Sequence, residues 1–209
     1  MVNSIRQCRP YFELLSKSIQ ALPFDDVDRV ANLLVRAYEQ ECSIFLFGNG
    51  GSAALASHFA CDLGKGTVNG SKKRFRVMAL TDNVPLMTAW ANDSKYEDIF
   101  AEQLANFARP GDIAFAISGS GNSPNVLRAL RTAKSAGVIT VGLAGFAGGK
   151  MRPLCDACVV IPCDNMQIIE DLHLCVAHSL FTCVRAKITE THSGRVAVGP
   201  RLVQRTGTR

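Results

Sequence analysis

The sequence predicts an α/β protein built on a doubly wound, five-stranded parallel β-sheet. Short apolar segments alternate along the chain with longer segments of helical periodicity, which is typical of such folds. The predicted strands are apolar along most of their length rather than at alternate residues, which indicates a sheet covered on both faces. Two of the strands end in glycine-rich loops. The predicted strands span residues 43–47, 75–80, 113–117, 138–143 and 158–161.

Helices are predicted between these strands and ahead of them. Residues 4–21 and 26–41 both show helical spacing of apolar side chains, so we expect a helical hairpin in front of the main fold. Because parallel sheets bind ligands beyond the carboxyl ends of their strands, the two glycine-rich loops lie where a site is expected. The other predicted helical segments span 52–63, the region up to about 107, 124–136 and about 165–187.

Length and composition fit one globular domain. The chain has 209 residues, 47% of them hydrophobic and 20% charged, which is sufficient for one substantial core. We expect a single domain over residues 1–188, including the hairpin at 1–41. Residues 189–209 carry four arginines against one acidic residue and lack helical periodicity, so we interpret them as a basic tail or an arm that contacts other subunits.

Several classes of protein are disfavoured. The net charge of +5 forms no basic face interleaved with aromatic residues, so we expect no nucleic-acid partner. No apolar run reaches the ~18–20 residues of a membrane span, and the first residues lack a signal-peptide core, so we expect a cytoplasmic protein without membrane contact. The eight scattered cysteines are expected to be reduced thiols. Cys155 and Cys158 have the spacing of half a zinc ribbon, without a second such pair.

The first glycine-rich loop follows the strand predicted at 43–47. Glycine lets a ligand approach the backbone, and the N-terminus of the next helix offers free N–H groups with positive dipole charge. The spacing matches neither the dinucleotide-binding nor the P-loop pattern. The sequence leaves open whether the loop binds a substrate or is only a tight turn. The candidate residues are Asn49, Gly50, Gly51 and Ser52.

The second loop, at residues 118–123, gives a stronger signal. It places three hydroxyl groups and a carboxamide within six residues, and hydroxyls with backbone N–H groups suit a phosphate monoester. Pro124 fits the first position of the following helix, with Ser123 as its N-cap. We therefore predict a phosphate site whose candidate residues are Ser118, Gly119, Ser120, Asn122 and Ser123.

Two predicted helices carry side chains capable of acid–base chemistry. His58 and Asp62 are four residues apart in the helix at 52–63, so they share one face. A carboxylate on one helix and a histidine on another can act as a general base and a general acid. The helix at 165–187 contributes Glu170, Asp171, His173 and His178.

Three separated motifs resemble the sugar isomerase (SIS) domain family: GNGGSAALASHF, ISGSGNSPNVLRAL and EDLHLCVAH. The likeness covers roughly residues 1–188 and is closest to the phosphoheptose isomerases. Those enzymes convert sedoheptulose 7-phosphate into D-glycero-D-manno-heptose 7-phosphate, through an enediol(ate), for cell-envelope polysaccharide precursors. The resemblance implies a flavodoxin-like five-stranded sheet, a phosphorylated ketose substrate and a homotetramer with active sites between subunits.

The resemblance also implies a metal site. In phosphoheptose isomerases the corresponding helices bind zinc, which implies one Zn²⁺ per subunit held by His58, Asp62, Glu170 and His178. Asp62 stands where glutamate is usual, and Glu170 stands where glutamine is usual. The family assigns the general base to the position of Asp62, but Glu170 is an alternative base here. His178 is the candidate general acid.

The resemblance adds two candidate substrate-binding residues, and one further histidine needs an interpretation. Asn92 and Asp93 match an Asn-Asp pair that contacts sugar hydroxyls in the family, so they are candidate substrate-binding residues. His173 lies five residues from His178 and is interpreted as a packed or interface residue.

Two other functions stay open at this point. Some members of the family do not turn over sugar and instead bind the bacterial replication initiator. The chain could also isomerise another sugar phosphate. Retention of both His58 and His178 favours an enzyme, because a binding module has no use for a complete set of metal ligands.

Overall fold

The computed structural model describes residues 8–68, 70 and 73–193. In this part of the chain one parallel sheet is formed by β1 (Ser43–Gly48), β2 (Arg76–Ala79), β3 (Ile113–Ser118), β4 (Ile139–Ala144) and β5 (Ala157–Val160). The strand order is β2–β1–β3–β4–β5. The predicted five-stranded, doubly wound parallel sheet is therefore confirmed.

Helices cover both faces of this sheet. The hairpin ahead of β1 consists of α1 (Cys8–Gln20) and α2 (Phe24–Glu39), and residues 4–7 of its predicted first helix lie outside the described residues. Helix α2 begins after Pro23 and carries Asp25 and Asp26 in its first turn, where the helix dipole favours negative charge. The remaining helices are α3 (Gly51–Cys61), α4 (Val84–Asp93), α5 (Ala101–Phe107), α6 (Pro124–Ser135) and α7 (Met166–Ser193).

Each face of the sheet has its own apolar core. One core joins alternate strand residues such as Leu46 and Phe115 to α2, α3 and α7. The other joins the intervening residues, such as Phe45 and Phe47, to α5 and α6. Because side chains alternate across a strand, only a strand that is apolar at every position can serve both cores. This explains the continuous apolar runs in the sequence.

The strand order places the two glycine-rich loops side by side. The chain leaves β1 towards β2 on one side and later places β3 on the other side, so the order reverses between β1 and β3. In open α/β sheets a ligand-binding crevice forms at such a switch point, beyond the carboxyl ends of the strands. The loops after β1 and β3 form the two sides of this crevice.

Helix α7 is longer than the sequence predicts. Its predicted end is near residue 187, but the helix continues to Ser193. No glycine or proline interrupts the chain between Met166 and Gly194, so nothing in this stretch ends the helix early. The first residues of the predicted tail are therefore helical, and residues 194–209 lie outside the described part of the chain. Among the described residues, no helix combines the length and the apolar character that crossing a bilayer requires.

Candidate active site

A reciprocal pair of amides joins the loops after β1 and β3. Asn49 Nδ2 donates to Asn125 Oδ1 at 2.9 Å, and Asn125 Nδ2 donates to Asn49 Oδ1 at 2.8 Å. The Tyr96 hydroxyl donates to the same Asn49 oxygen at 3.0 Å. Asn125 is buried, so this clamp fixes the position of one loop relative to the other. The sequence did not single out Asn125 or Tyr96. A carboxamide within the apolar first turn of α6 is the signal that could have revealed Asn125.

The loop after β1 is a tight turn with an open backbone. The Ser52 N–H donates to the Asn49 carbonyl at 3.0 Å, and Ser52 itself is buried in the first turn of α3. Gly50 has a φ of 55°, and no atom lies within 4 Å of the position of a Cβ there. The turn that the sequence left as one alternative is therefore present. Gly50 also leaves its own backbone open to a ligand.

The hydroxyls of the 118–123 loop are oriented by bonds within the loop. Asn122 N–H donates to Ser120 Oγ at 3.2 Å, and Asn122 Nδ2 donates to the Ser120 carbonyl at 2.9 Å. Ser123 occupies the N-cap position of α6, as predicted, but makes no side-chain capping bond to the helix. Its Oγ lies 3.4 Å from Ser118 Oγ instead. The Ser123 hydroxyl is thus available on the loop rather than committed to the helix.

The neighbouring segment at 145–151 supports this loop from behind. Gly121 has a φ of 63°, and a Cβ there would lie 2.2 Å from the Gly148 carbonyl oxygen. Met151 N–H donates to the Gly121 carbonyl at 2.9 Å, and Lys150 N–H donates to Asn122 Oδ1 at 3.1 Å. Glycine at position 121 is therefore required by packing as well as by backbone conformation.

Gly119, the other glycine of the 118–123 loop, allows a helix to pack against the loop. A Cβ on Gly119 would lie 2.5 Å from Met166 Sδ, so this glycine lets the N-terminus of α7 pack against the loop. The sequence indicated glycines as places where a ligand approaches the backbone. At position 119 the close neighbour is α7 itself, and the contact places the start of α7 beside the candidate phosphate site.

Three ionisable side chains meet where α3 approaches α7. His58 Nε2 and His178 Nε2 are 3.2 Å apart, and Asp62 Oδ2 lies 3.5 Å from the former and 3.7 Å from the latter. Both histidine side chains are 49% exposed and Asp62 is 23% exposed, so the cluster is open to solvent. One donor atom from each residue lies within 4.8 Å of the others. Two imidazole nitrogens and a carboxylate oxygen form a donor set that can hold a divalent metal ion such as zinc.

Asp62 lies where the helix type changes at the end of α3. The sequence predicts one helix over 52–63, but α3 ends at Cys61 and a π-helical turn, Asp62–Gly66, continues it. A Cβ on Gly66 would lie 2.7 Å from the Phe181 ring, so glycine allows α7 to approach at this turn. Single π turns recur at functional sites. Here the turn fixes the spacing of the helices that carry the cluster.

Glu170, the fourth predicted ligand, is not part of the three-residue cluster. Its carboxylate lies at the N-terminus of α3, where a Cβ on Gly51 would stand 3.3 Å from Glu170 Oε2. Eight residues, a rise of about 12 Å, separate Glu170 from His178 along α7. Glu170 and His58 nevertheless line the same α3–α7 groove, which has a volume of about 250 Å³. Among the described residues the Glu170 carboxylate has no hydrogen-bond or ion-pair partner.

The adjacent carboxylate has a structural partner. The Tyr11 hydroxyl donates to Asp171 Oδ2, and this bond to the carboxylate raises the pKa of Tyr11 to about 12. The contact joins α1 to α7 beside Glu170. Of these two neighbouring acids, Asp171 joins two helices, whereas Glu170 makes no such bond within the described part of the chain.

His173 is buried with both ring nitrogens unsatisfied within the described structure. Burial lowers its pKa to about 4, and the nearby Ala144 backbone partly opposes this without forming a regular hydrogen bond to the ring. The ring is therefore neutral at pH 7. Its burial agrees with the interpretation of a packed residue, and it adjoins the groove that contains Glu170 and His58.

The predicted sugar-binding pair lies at the end of α4. Asn92 and Asp93 are exposed, and Asn92 Nδ2 donates to Asp93 Oδ1 at 2.7 Å. Within the described residues neither side chain bonds to the two loops or to the His58 cluster. One protomer alone thus does not bring this pair to the other candidate residues.

Comparisons with known proteins identify the family to which the sequence is similar. The family profile described as SIS domain matches residues 11–145. The phosphoheptose isomerase of Helicobacter pylori strain Shi470 is 39% identical over 82% of this chain and 88% of its own length. The phosphoheptose isomerase of Paramagnetospirillum magneticum is 42% identical over 68% of this chain and 74% of its own length.

A solved structure is similar over most of the chain. The phosphoheptose isomerase of Neisseria gonorrhoeae superposes with a TM-score of 0.78 at 27% identity, covering 84% of this chain and 95% of that one. The match to the family profile includes the loops after β1 and β3. The chain therefore belongs to the SIS domain family and, within it, to the phosphoheptose isomerases.

Proposed function

We propose that this chain interconverts sedoheptulose 7-phosphate and D-glycero-D-manno-heptose 7-phosphate, in the synthesis of heptose precursors for cell-envelope polysaccharide. As a member of the phosphoheptose isomerases it is an aldose–ketose isomerase acting on a phosphorylated sugar. The observation that carries the proposal is the α3–α7 groove. One of its ends is the start of α3, beside the loops that suit a phosphate, and its side contains His58 of the three-residue cluster.

The 118–123 loop binds the phosphate in this proposal. Its hydroxyls at Ser118, Ser120 and Ser123 and the N-terminus of α6 supply donors without a lysine. The Gly50–Gly51 backbone lies across the switch point and can contact the sugar. Because the amide clamp holds both loops in place before binding, little ordering is needed when the substrate arrives.

His58, Asp62 and His178 hold the metal ion in this proposal. Their convergence supports it, since two imidazole nitrogens 3.2 Å apart, with a carboxylate oxygen 3.5 and 3.7 Å from them, form a donor set that suits a divalent metal ion. A bound Zn²⁺ would stabilise negative charge on the oxygens of the enediolate. Glu170 is an additional ligand if its side chain turns towards the cluster, but its observed position favours a different function.

Glu170 acts as the general base in this proposal. Its carboxylate is unpaired and lies in the groove, beside the positive end of the α3 dipole. It removes the proton from the carbon next to the carbonyl, and returns it to the neighbouring carbon once the enediolate has formed. The hydroxyl proton moves between the two oxygens, and His178 is the histidine placed to carry it. Asp62 is the alternative base.

Assembly and location complete the proposal. We expect a homotetramer with active sites between subunits, in the cytoplasm. The exposed Asn92 and Asp93 would then contact the sugar of a neighbouring subunit. Exposed apolar side chains on the hairpin, Phe12 at 65% and Phe24 at 58%, support self-association.

The test is conversion of sedoheptulose 7-phosphate followed by NMR, with variants that exchange the two altered acids. Glu170→Gln should lose turnover, because it removes the proposed base, whereas Asp171→Asn, on the neighbouring residue, should retain it. The double variant Asp62→Glu with Glu170→Gln restores the usual family pattern and should recover activity. Full activity in Glu170→Gln would refute the assignment of the base. No conversion by the wild type would refute this substrate and favour another sugar phosphate or a non-catalytic partner-binding function.

A further inference from the structure

Two cysteines outside the candidate active site share one small space. Cys155 precedes β5 and Cys158 lies within it, and both are half-buried free thiols. Gly142 of β4 pairs with Cys158 across the sheet. A Cβ on Gly142 would lie 2.8 Å from Cys155 Sγ and 3.1 Å from Cys158 Sγ. The two sulfur atoms therefore lie no more than about 6 Å apart, and the glycine is what leaves room for both.

The two thiols differ in reactivity. The facing Cys155 thiol lowers the pKa of Cys158, and the nearby Arg152 guanidinium lowers it further, although burial opposes both. The same pairing raises the pKa of Cys155. Cys158 is thus the thiol that more easily forms a nucleophilic thiolate, with Cys155 placed to react second.

A short turn and Met151 link the cysteine pair to the candidate phosphate loop. Cys155 ends a short 3-10 turn, Arg152–Leu154, that begins after Met151. Met151 N–H donates to the Gly121 carbonyl, and Cys155 N–H donates to the Arg152 carbonyl at 3.2 Å. The Met151 Cε also lies 3.1 Å from the Cβ position of Gly142, beside both sulfurs. A movement of Cys155 towards Cys158 therefore acts on the turn that holds Gly121.

We propose that Cys155 and Cys158 form a reversible intrachain disulfide that weakens phosphate binding at the 118–123 loop. The effect on phosphate binding rests on the proposed function, whereas disulfide formation does not. The oxidant is a small disulfide such as oxidised glutathione. The Cys158 thiolate attacks one of its sulfurs, forming a mixed disulfide and releasing one glutathione thiolate. Cys155 then loses its proton to solvent and attacks the Cys158 sulfur, releasing the second glutathione thiolate.

Disulfide formation is tested on the full-length protein with oxidised glutathione, intact mass and peptide mapping. The wild type should lose two hydrogens at a 155–158 linkage, and dithiothreitol should reverse the change. Cys155→Ser should retain glutathione on Cys158, because the thiol that resolves the mixed disulfide is gone. Cys158→Ser should form neither product at this pair, and Cys183→Ser, at an exposed cysteine, should behave as the wild type. Absence of the linked peptide when Cys183 is glutathionylated would overturn the proposal.

The effect on the loop is tested with inorganic phosphate as the probe, independently of turnover. Oxidation should reduce the phosphate affinity of the wild type several-fold. It should leave the affinity of the double variant Cys155→Ser with Cys158→Ser unchanged. A linked disulfide with unaltered phosphate affinity would overturn the effect on the loop. Because neither readout involves sedoheptulose 7-phosphate, failure of the proposed isomerase activity would be recognised separately.

Discussion

The two halves of the candidate site are built in different ways. The 118–123 loop is held by backbone bonds and by glycines packed against other backbone, such as Gly121 against Gly148. The other half, the α3–α7 groove with the cluster that adjoins it at His58, instead carries exposed or unpaired ionisable side chains. These are Glu170 and His58 in the groove, and Asp62 and His178 in the cluster. A phosphate site gains from preorganised dipoles that do not move. Acid–base groups need side chains that are not already neutralised by a protein partner.

The largest effect is expected at the three-residue cluster beside the groove. His178→Ala and Asp62→Ala should each lower kcat by about 10²–10⁴-fold, because each removes a ligand of the proposed metal site and His178→Ala also removes the proposed proton carrier. Lys65→Ala, in the same π-helical turn as Asp62, serves as the matched control and should keep near-normal activity. Size-exclusion chromatography checks that the assembly is intact. Unchanged turnover in both alanine variants would show that the cluster has no catalytic function.

The loop should respond to backbone changes instead. Gly121→Ala combines a positive φ with a Cβ 2.2 Å from a carbonyl oxygen, so we expect roughly 2–6 kcal/mol of lost stability together with weaker phosphate binding. Gly50→Ala is the matched control, with a positive φ but open space, and should cost less, about 1–3 kcal/mol from backbone strain alone. Urea unfolding and phosphate titration measure both. Equal costs for the two variants would contradict the packing function of Gly121.

Acid sensitivity is expected from His173, which lies between the two regions. Its pKa of about 4 in the folded protein is below the ordinary value, so the unfolded chain binds its proton first as pH falls. The wild type should lose up to about 3 kcal/mol between pH 6.5 and pH 4 through this residue, with no loss above pH 6.5.

The matched experiment is urea unfolding of His173→Leu at pH 7.5 and pH 4.5. The variant should be about as stable as the wild type at the higher pH, since it removes an unsatisfied buried ring. It should be clearly more stable than the wild type at the lower pH. A stability difference that is the same at both pH values would mean that the ring is not neutral in the folded protein.

The smallest effects are expected at the clamp between the loops. Asn125→Ala leaves Asn49 without its reciprocal partner and should cost about 1–3 kcal/mol, because the site is buried. Tyr96→Phe removes only the exposed bond to Asn49 and should cost less than about 1 kcal/mol. Thermal unfolding ranks the two variants. A larger loss of stability in Tyr96→Phe than in Asn125→Ala would mean that the bond from Tyr96, rather than the pair of amides, holds Asn49 in place.

The fold was predictable because its signals are periodic and local. Short apolar runs such as Ile113–Ser118 indicate strands buried on both faces when turn signals flank them, and Gly-Asn-Gly-Gly and Ser-Gly-Ser-Gly mark the turns that follow two of them. The helical spacing of His58 and Asp62 also identified one face of α3 correctly. Helix α7 extends about six residues beyond its predicted end, because the end of a helix depends on weak local preferences.

The details of the site depend on long-range packing that a sequence does not show. The π-helical turn at Asp62 goes together with Gly66 lying against Phe181, which is more than a hundred residues away. The position of Glu170 depends on the start of α3, and the bond between Asn49 and Asn125 depends on the order of β1 and β3. Residue types could be named in advance, but their distances could not.

The proposed catalytic zinc site is tested most directly by measuring metal content and turnover on the same samples. Mass spectrometry of the wild type should give close to one zinc per subunit. Chelation should abolish conversion of sedoheptulose 7-phosphate, and added zinc should restore it. His178→Ala should lose both metal and conversion, whereas Asp171→Asn should keep both. A metal-free wild type that converts the sugar at full rate would contradict the account, because the convergence of His58, Asp62 and His178 would then have no catalytic purpose.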